Sequence, residues 1–315
     1  MRRFSDIWWR PPVRAALMCG AVAIVVAGTA AAKTYSDWGN VMNAESLPGS
    51  ASAVNSAAGD GCPILDPYTN DLFMATNRGG GDQDIWIAHW NGSGWDNPVD
   101  AGPNINTDAD EFCPSPARGN RFFFVRGHIA GGGNTDIYVS KRNPKTGFGP
   151  PQRLATGADG INSPAQEWSP SWFEAGGHEY LYFSSTREGR QRIYYSVDFG
   201  PAQLAPGGVN TNDSDIQDAR PNVRHDGLEI VWDSTRFGTL GGPDIWTATR
   251  SSVDQPWGTA IHLGNDINTA GSESRASLSW DGTRLMFGTT GHDHLTGDAG
   301  GDIWTATRTK ATGRH

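Results

Sequence analysis

The sequence is short of cysteine, with three in 315 residues, and short of positive charge, with 25 lysines and arginines against 34 aspartates and glutamates. No basic cluster interrupts that deficit. A surface so biased repels phosphate backbones, which excludes nucleic acid as a partner. A G-x-S-x-G elbow, a phosphate-binding glycine loop and an H-E-x-x-H pair are also missing, so three common catalytic signatures are absent. Neither Cys62 nor Cys113 has a histidine beside it, which argues against a catalytic thiol. The one long apolar run lies within the first 32 residues.

That run reads as an export signal. Arg2, Arg3, Arg10 and Arg14 form a basic region before the stretch from Ala15 to Ala32, and Ala30-Ala31-Ala32 offers a cleavage site ahead of Lys33. About 18 apolar residues is also the lower limit for a membrane span, so an uncleaved anchor is the alternative. The alanine, glycine and valine of the run favour cleavage. Removal of residues 1–32 takes away four arginines and one aspartate, moving the formal charge from −9 to −12. The mature chain is then expected in the periplasm or outside the cell, without a membrane span.

What the chain has in quantity is glycine, 41 residues, and tryptophan, 13 residues. A disordered chain is poor in aromatics, whereas many short strands joined by glycine-rich turns need both. Self-similarity is strong. Asp84-Ile85-Trp86 recurs as Asp136-Ile137-Tyr138, Asp244-Ile245-Trp246 and Asp302-Ile303-Trp304, with a degenerate copy at Arg192-Ile193-Tyr194. Upstream of each lies an apolar run, and further upstream an acid: Asp60, Glu111, Glu167, Asp218 or Glu273. Downstream comes an aromatic and an I-N-T-like end, as in Trp257 to Thr269. Each unit reads as four short strands, so the expected fold is an all-β, five-bladed β-propeller over residues 33–308, with a disordered tail at 309–315. The fifth unit stops after its third strand near Arg308. The stretch from Trp38 to Asn55 matches the missing fourth, so the N-terminal strand is expected to close the ring.

The pattern carried by Glu167 to Pro170, Ser185 to Arg187, Asp244 to Trp246 and Ile267 to Thr269 resembles the WD40-like propeller repeat of TolB-type periplasmic proteins. The resemblance covers roughly Trp38 to Arg308. It implies a propeller of the cell envelope acting on proteins or glycans. Folds host many activities, so it names none.

The five repeated acids open the innermost strand of each blade. Glu111 with Arg126, Glu167 with Arg187 and Asp218 with Arg236 could be the repeat's own charge-assisted pairs. The other reading is a ring of carboxylates acting on a glycosidic bond. Thr290 stands where the other blades have arginine, leaving Glu273 without that partner. Two positions past the acids lie Cys62, Cys113, Ser169, Arg220 and Arg275, and a strand period of two puts them on the acids' face. Arg220 and Arg275 could bind a carboxylate or sugar acid, or neutralise neighbouring acids. Cys62 and Cys113, equivalent in adjacent blades, are disulfide candidates in an oxidising compartment. The blade-five loop holds His292, His294 and Asp298, either a metal-ligand set or a polar turn. The expectation is a monomeric, non-enzymatic module without cofactor, binding an envelope protein or glycan at the channel rim. A carbohydrate-active hydrolase or lyase using rim carboxylates is the alternative.

Overall fold

In the computed structural model, residues 35–128, 134–143, 145–157, 159–293 and 301–311 are described. The export segment, His294 and Asp298 lie outside them. Blade one pairs Asp60–Leu65, Leu72–Thr76, Asp84–Ala88 and Val99–Asp100 in that order. Blade two runs Asp110–Ala117, Arg121–Gly127, Thr135–Asn143 and Gln152–Arg153, with Gly147–Phe148 also on its third strand. Blade three runs Glu167–Ala175, His178–Ser185, Arg192–Val197 and Gln203–Leu204; blade four runs Asp218–Val223, Glu229–Ser234, Asp244–Thr249 and Ile261–His262. Blade five takes Glu273–Leu278, Arg284–Thr289 and Asp302–Thr307, and its outer strand is Gly39–Asn43. Each first strand touches the first strands of both neighbouring blades, so the five close into a ring. The protein is a five-bladed β-propeller.

The apolar runs form the second strands because each blade is packed on both faces. A strand covered on both sides reads as a continuous hydrophobic run rather than an alternating one. All five residues of Leu72–Thr76 are buried, and so are Phe122 to Val125. Phe73 of blade one meets Phe122 of blade two with ring centroids 5.1 Å apart. Burial of each such side chain contributes roughly 1.5–3 kcal/mol.

The D-I-W and I-N-T motifs are two halves of one device. Asn106 accepts from the Ile85 N–H at 3.0 Å and donates to the Ile85 carbonyl at 2.9 Å. Asn162 does the same for Ile137, Asn210 for Ile193 and Asn268 for Ile245. A side-chain amide thus replaces a strand neighbour where the outer strand has already ended. In blade five the amide comes from the other end of the chain: Asn55 bonds Ile303 in both senses, at 2.8 and 3.2 Å. The closing segment runs further than the repeat suggested. The Ser36 N–H donates to the Thr309 carbonyl, and Tyr35 bridges to Lys310. Thr309 and Lys310, assigned by sequence to a disordered tail, are therefore paired. Among the described residues no helix is long and apolar enough to cross a membrane.

Candidate functional site

The five acids that open the inner strands are 0–4% exposed, and their oxygens are spent on the blade itself. Glu111 accepts from the Thr107 N–H and hydroxyl at 2.9 and 2.7 Å and from Arg126 Nε at 2.6 Å. Asp60 takes the Ser56 N–H and hydroxyl and Arg78; Glu167 takes those of Ser163, with Ser185 and Arg187. Asp218 takes the Thr211 N–H, Ser234 and Arg236. The last residue of each I-N-T-like motif is thus the acid's partner. Buried carboxylates so bonded are staples, not open ligands. The reading of these five acids as a catalytic or binding ring is corrected accordingly.

Blade five solves the staple differently. Elsewhere the arginine donates to a carbonyl of the preceding segment and lies over the aromatic of D-I-W. Arg126, for example, donates to Ile105 O at 2.8 Å and sits 5.2 Å from the Tyr138 ring centre. Glu273 is held by the Thr269 N–H and hydroxyl and by Thr289. The arginine's place is filled by His292, whose Nε2 is 2.9 Å from Ile267 O and whose ring stacks on Trp304 at 4.4 Å. The Nε2 of His292 is committed to that contact. Among the described residues no cluster of three or more histidine, cysteine or acidic side chains is arranged for one.

Two residues beyond each acid the backbone turns over. Cys62, Cys113, Ser169, Arg220 and Arg275 have φ between 48° and 57°. Every inner strand shifts register there, as between Gly61 and Ile64 or Ala219 and Asn222. Proline follows in four of the five blades and cannot donate to the ladder, so the break is built into the sequence. A bulge re-aims a side chain. The open cavity on the ring axis, about 30 Å³ in volume, is lined by these five residues and not by the acids. The expectation that they share the acids' face fails because the bulge cancels the period of two. Cys62 and Cys113 form a disulfide with a Cα separation of 4.8 Å, and the Ser169 hydroxyl lies 3.0 Å from Cys113 Sγ.

Arg220 and Arg275 complete the lining. Arg220 donates to Asp233 at 2.5 Å and lies over Trp168. Arg275 bonds Asp233 through its backbone N–H at 3.0 Å. Burial, with Arg220 nearby, pushes the Arg275 guanidinium down to about 10.

The hairpins that follow the inner strands form another ring. Seven residues after each acid stand Pro67, Arg118, Glu174, His225 and Trp280, a position at which no two blades agree. His225 stacks flat on Trp280 at 4.0 Å, and Tyr68, 62% exposed, meets the Trp280 edge at 5.3 Å. Arg118 and Glu174 are 3.6 Å apart. Burial holds the His225 imidazole below its ordinary value; Asp226 and Glu174 pull it up and Arg118 pushes it further down. Burial raises Asp226, and bonds from Arg224 and the Leu228 N–H outweigh it, leaving that carboxylate below its usual range. The sequence reading missed this mouth because it followed what repeats. The signal was an inner position at which no two blades agree.

No family model matches the chain, and no curated protein matches it. Among solved structures it is similar to a thermostable family-43 glycoside hydrolase, at 16% identity and TM-score 0.55 over 84% of this chain and 93% of that one. It is also similar to the catalytic domain of the Coprinopsis cinerea GH62 α-L-arabinofuranosidase, at 14% identity and TM-score 0.54 over 88% and 98%. TolB from Acinetobacter baumannii is a more distant neighbour, at 15% identity and TM-score 0.47 over 80% and 55%. The expectation of a non-enzymatic module is corrected by the two glycoside hydrolases, which share this ring.

Proposed function

We propose that the protein is a carbohydrate-active propeller that holds a glycan across the hairpin mouth and cleaves it there. The observation that carries this reading is the Tyr68–Trp280–His225 aromatic surface flanked by Glu174 and Asp226. Aromatic faces stack on the C–H faces of sugar rings, and flat, half-open rings at a mouth suit an extended chain. Glycosidic cleavage needs one carboxyl group to move a proton and one to stay charged as the sugar ring becomes cationic. Asp226, bound by Arg224, is suited to the charged role, and Glu174 is the second carboxyl group at the mouth. The family-43 hydrolase and the GH62 arabinofuranosidase, which share the fold, support a glycan as substrate. The reading of residues 1–32 as an export signal and the resemblance to TolB-type repeats support a protein working in the periplasm or outside the cell.

The test is a polysaccharide panel with residues 33–315, read by release of reducing ends and by binding. Trp280→Ala is expected to lose binding, and Glu174→Gln to keep binding and lose turnover. Turnover undiminished in both variants would remove this mouth as the site.

A further inference from the structure

The axial cavity has a feature that the blade scaffold does not explain. It receives two guanidinium groups, from Arg220 and Arg275 on adjoining inner strands, and a single buried carboxylate, Asp233, faces them. Asp233 takes its hydrogen bonds from the Arg220 side chain and the Arg275 backbone N–H, so the Arg275 guanidinium acts on it through charge alone and keeps its own donors free. That guanidinium has no hydrogen-bond partner among the described residues, and its Nε is buried and unbonded. The Nε of Arg220 is in the same state. Buried polar groups normally find partners, and an unpaired charged one is costly. The backbone also makes room for the group. A Cβ on Gly61 of the next blade would come within 2.8 Å of Arg275 Nη1. The rest of the lining is the disulfide, Ser169, Ser277, Asn222, four prolines, Ile64 and Ala276, with no second anion to balance the pair.

We propose that this cavity is a carboxylate-binding site, in which Arg275 with Arg220 takes one carboxylate of a small organic acid. A planar guanidinium fork matches the two oxygens of a carboxylate, and a low-dielectric pocket strengthens the pair. The site is separate from the hairpin mouth: His225 is five positions beyond Arg220 along the chain, roughly 16 Å if extended. The carboxylate can be that of a uronic acid or of a simple acid, and the two sources are separable by experiment.

Calorimetric titration of residues 33–315 with D-glucuronate, acetate, D-glucose and inorganic phosphate is the test. Either carboxylate is expected to bind the wild type, with affinity at least tenfold weaker in Arg275→Gln; glucose is expected not to bind. Glucuronate binding at least tenfold tighter than acetate assigns the source to a sugar acid, and parity assigns it to a simple acid. Arg275→Gln leaves both bonds to Asp233 in place, so folding is expected to survive. Gly61→Ala is the second variant: it keeps the charge, displaces the guanidinium and is expected to weaken binding as well. No binding of either carboxylate, equal binding by wild type and both variants, or phosphate bound more tightly than both acids would overturn the proposal. Glycan turnover that depends on Trp280 but not on Arg275 would leave the mouth standing and this carboxylate site unaffected.

Discussion

Asn55 and Ile303, 248 residues apart, hold each other by two hydrogen bonds, and that pair is the latch of the ring. Four other blades carry the same asparagine–isoleucine pair within one repeat. Only here does it join the two ends of the fold. Asn55→Ala leaves the Ile303 N–H and carbonyl buried without partners, at about 1–3 kcal/mol each. A loss of about 2–4 kcal/mol in chemical denaturation is expected, with faster amide exchange confined to Asp302–Thr307 and Gly39–Asn43. A wild-type midpoint in the variant would show that the latch is unimportant.

His292 occupies the place of an arginine, and the substitution is expected to be reversible in effect. His292→Arg restores a guanidinium that can reach Ile267 O, lie over Trp304 and face Glu273. A charge-assisted bond of this kind adds about 1 kcal/mol, which for a domain of this size moves the melting temperature up by about 2 °C. His292→Ala is expected to lower it. Calorimetric melting of the three proteins decides the point; an arginine variant no more stable than the alanine variant refutes the equivalence.

The Cys62–Cys113 bridge closes a loop of 51 residues and ties blade one to blade two. Loop-closure entropy for that length corresponds to about 4 kcal/mol. Dithiothreitol is therefore expected to lower the unfolding midpoint of the wild type and leave a Cys62→Ser/Cys113→Ser variant unchanged. Equal responses of the two proteins would contradict it.

Asp84 lies among Asp82, Asp100, Asp110 and Glu111, and its carboxyl is raised to about 6, first by burial and then by these neighbours. In the unfolded chain an aspartate titrates near 4. Between about pH 4 and 6 the folded protein holds a proton that the unfolded chain releases. Stability from this group therefore falls as pH rises through that window. Asp84→Asn is expected to be more stable than wild type above pH 6 and to lose this pH dependence. Parallel stability curves from pH 4 to 7 would exclude the effect.

The ring, its five blades and its closing strand could be read from the spacing of D-I-W and I-N-T, because those motifs are bonded to each other. The same spacing paired Glu111 with Arg126, Glu167 with Arg187 and Asp218 with Arg236, as the fold does. Hidden in sequence was the acids' other partner, the serine or threonine that ends the preceding segment, as Thr107 is for Glu111. The direction of Arg220 and Arg275 was hidden for a related reason. Strand periodicity assumes an unbroken ladder, and a residue in the left-handed region followed by proline interrupts it. Trp280 and His225 were invisible as a pair because only the ring brings blades four and five side by side at that end.

The bulge at Cys62, Cys113, Ser169, Arg220 and Arg275 separates two jobs that a strand residue usually performs together. The side chain faces the axis while the neighbouring positions carry the pairing. An exchange at Ser169 or Arg275 leaves the acid staples as they were, whereas one at Cys62, Cys113 or Arg220 also removes the disulfide or the bond to Asp233. What limits the choice is backbone shape: asparagine, aspartate and glycine fit the left-handed region most easily, and valine or isoleucine worst. The molecule therefore presents five side chains to its axis from one repeated backbone shape, and the residue type at each is set apart from strand pairing.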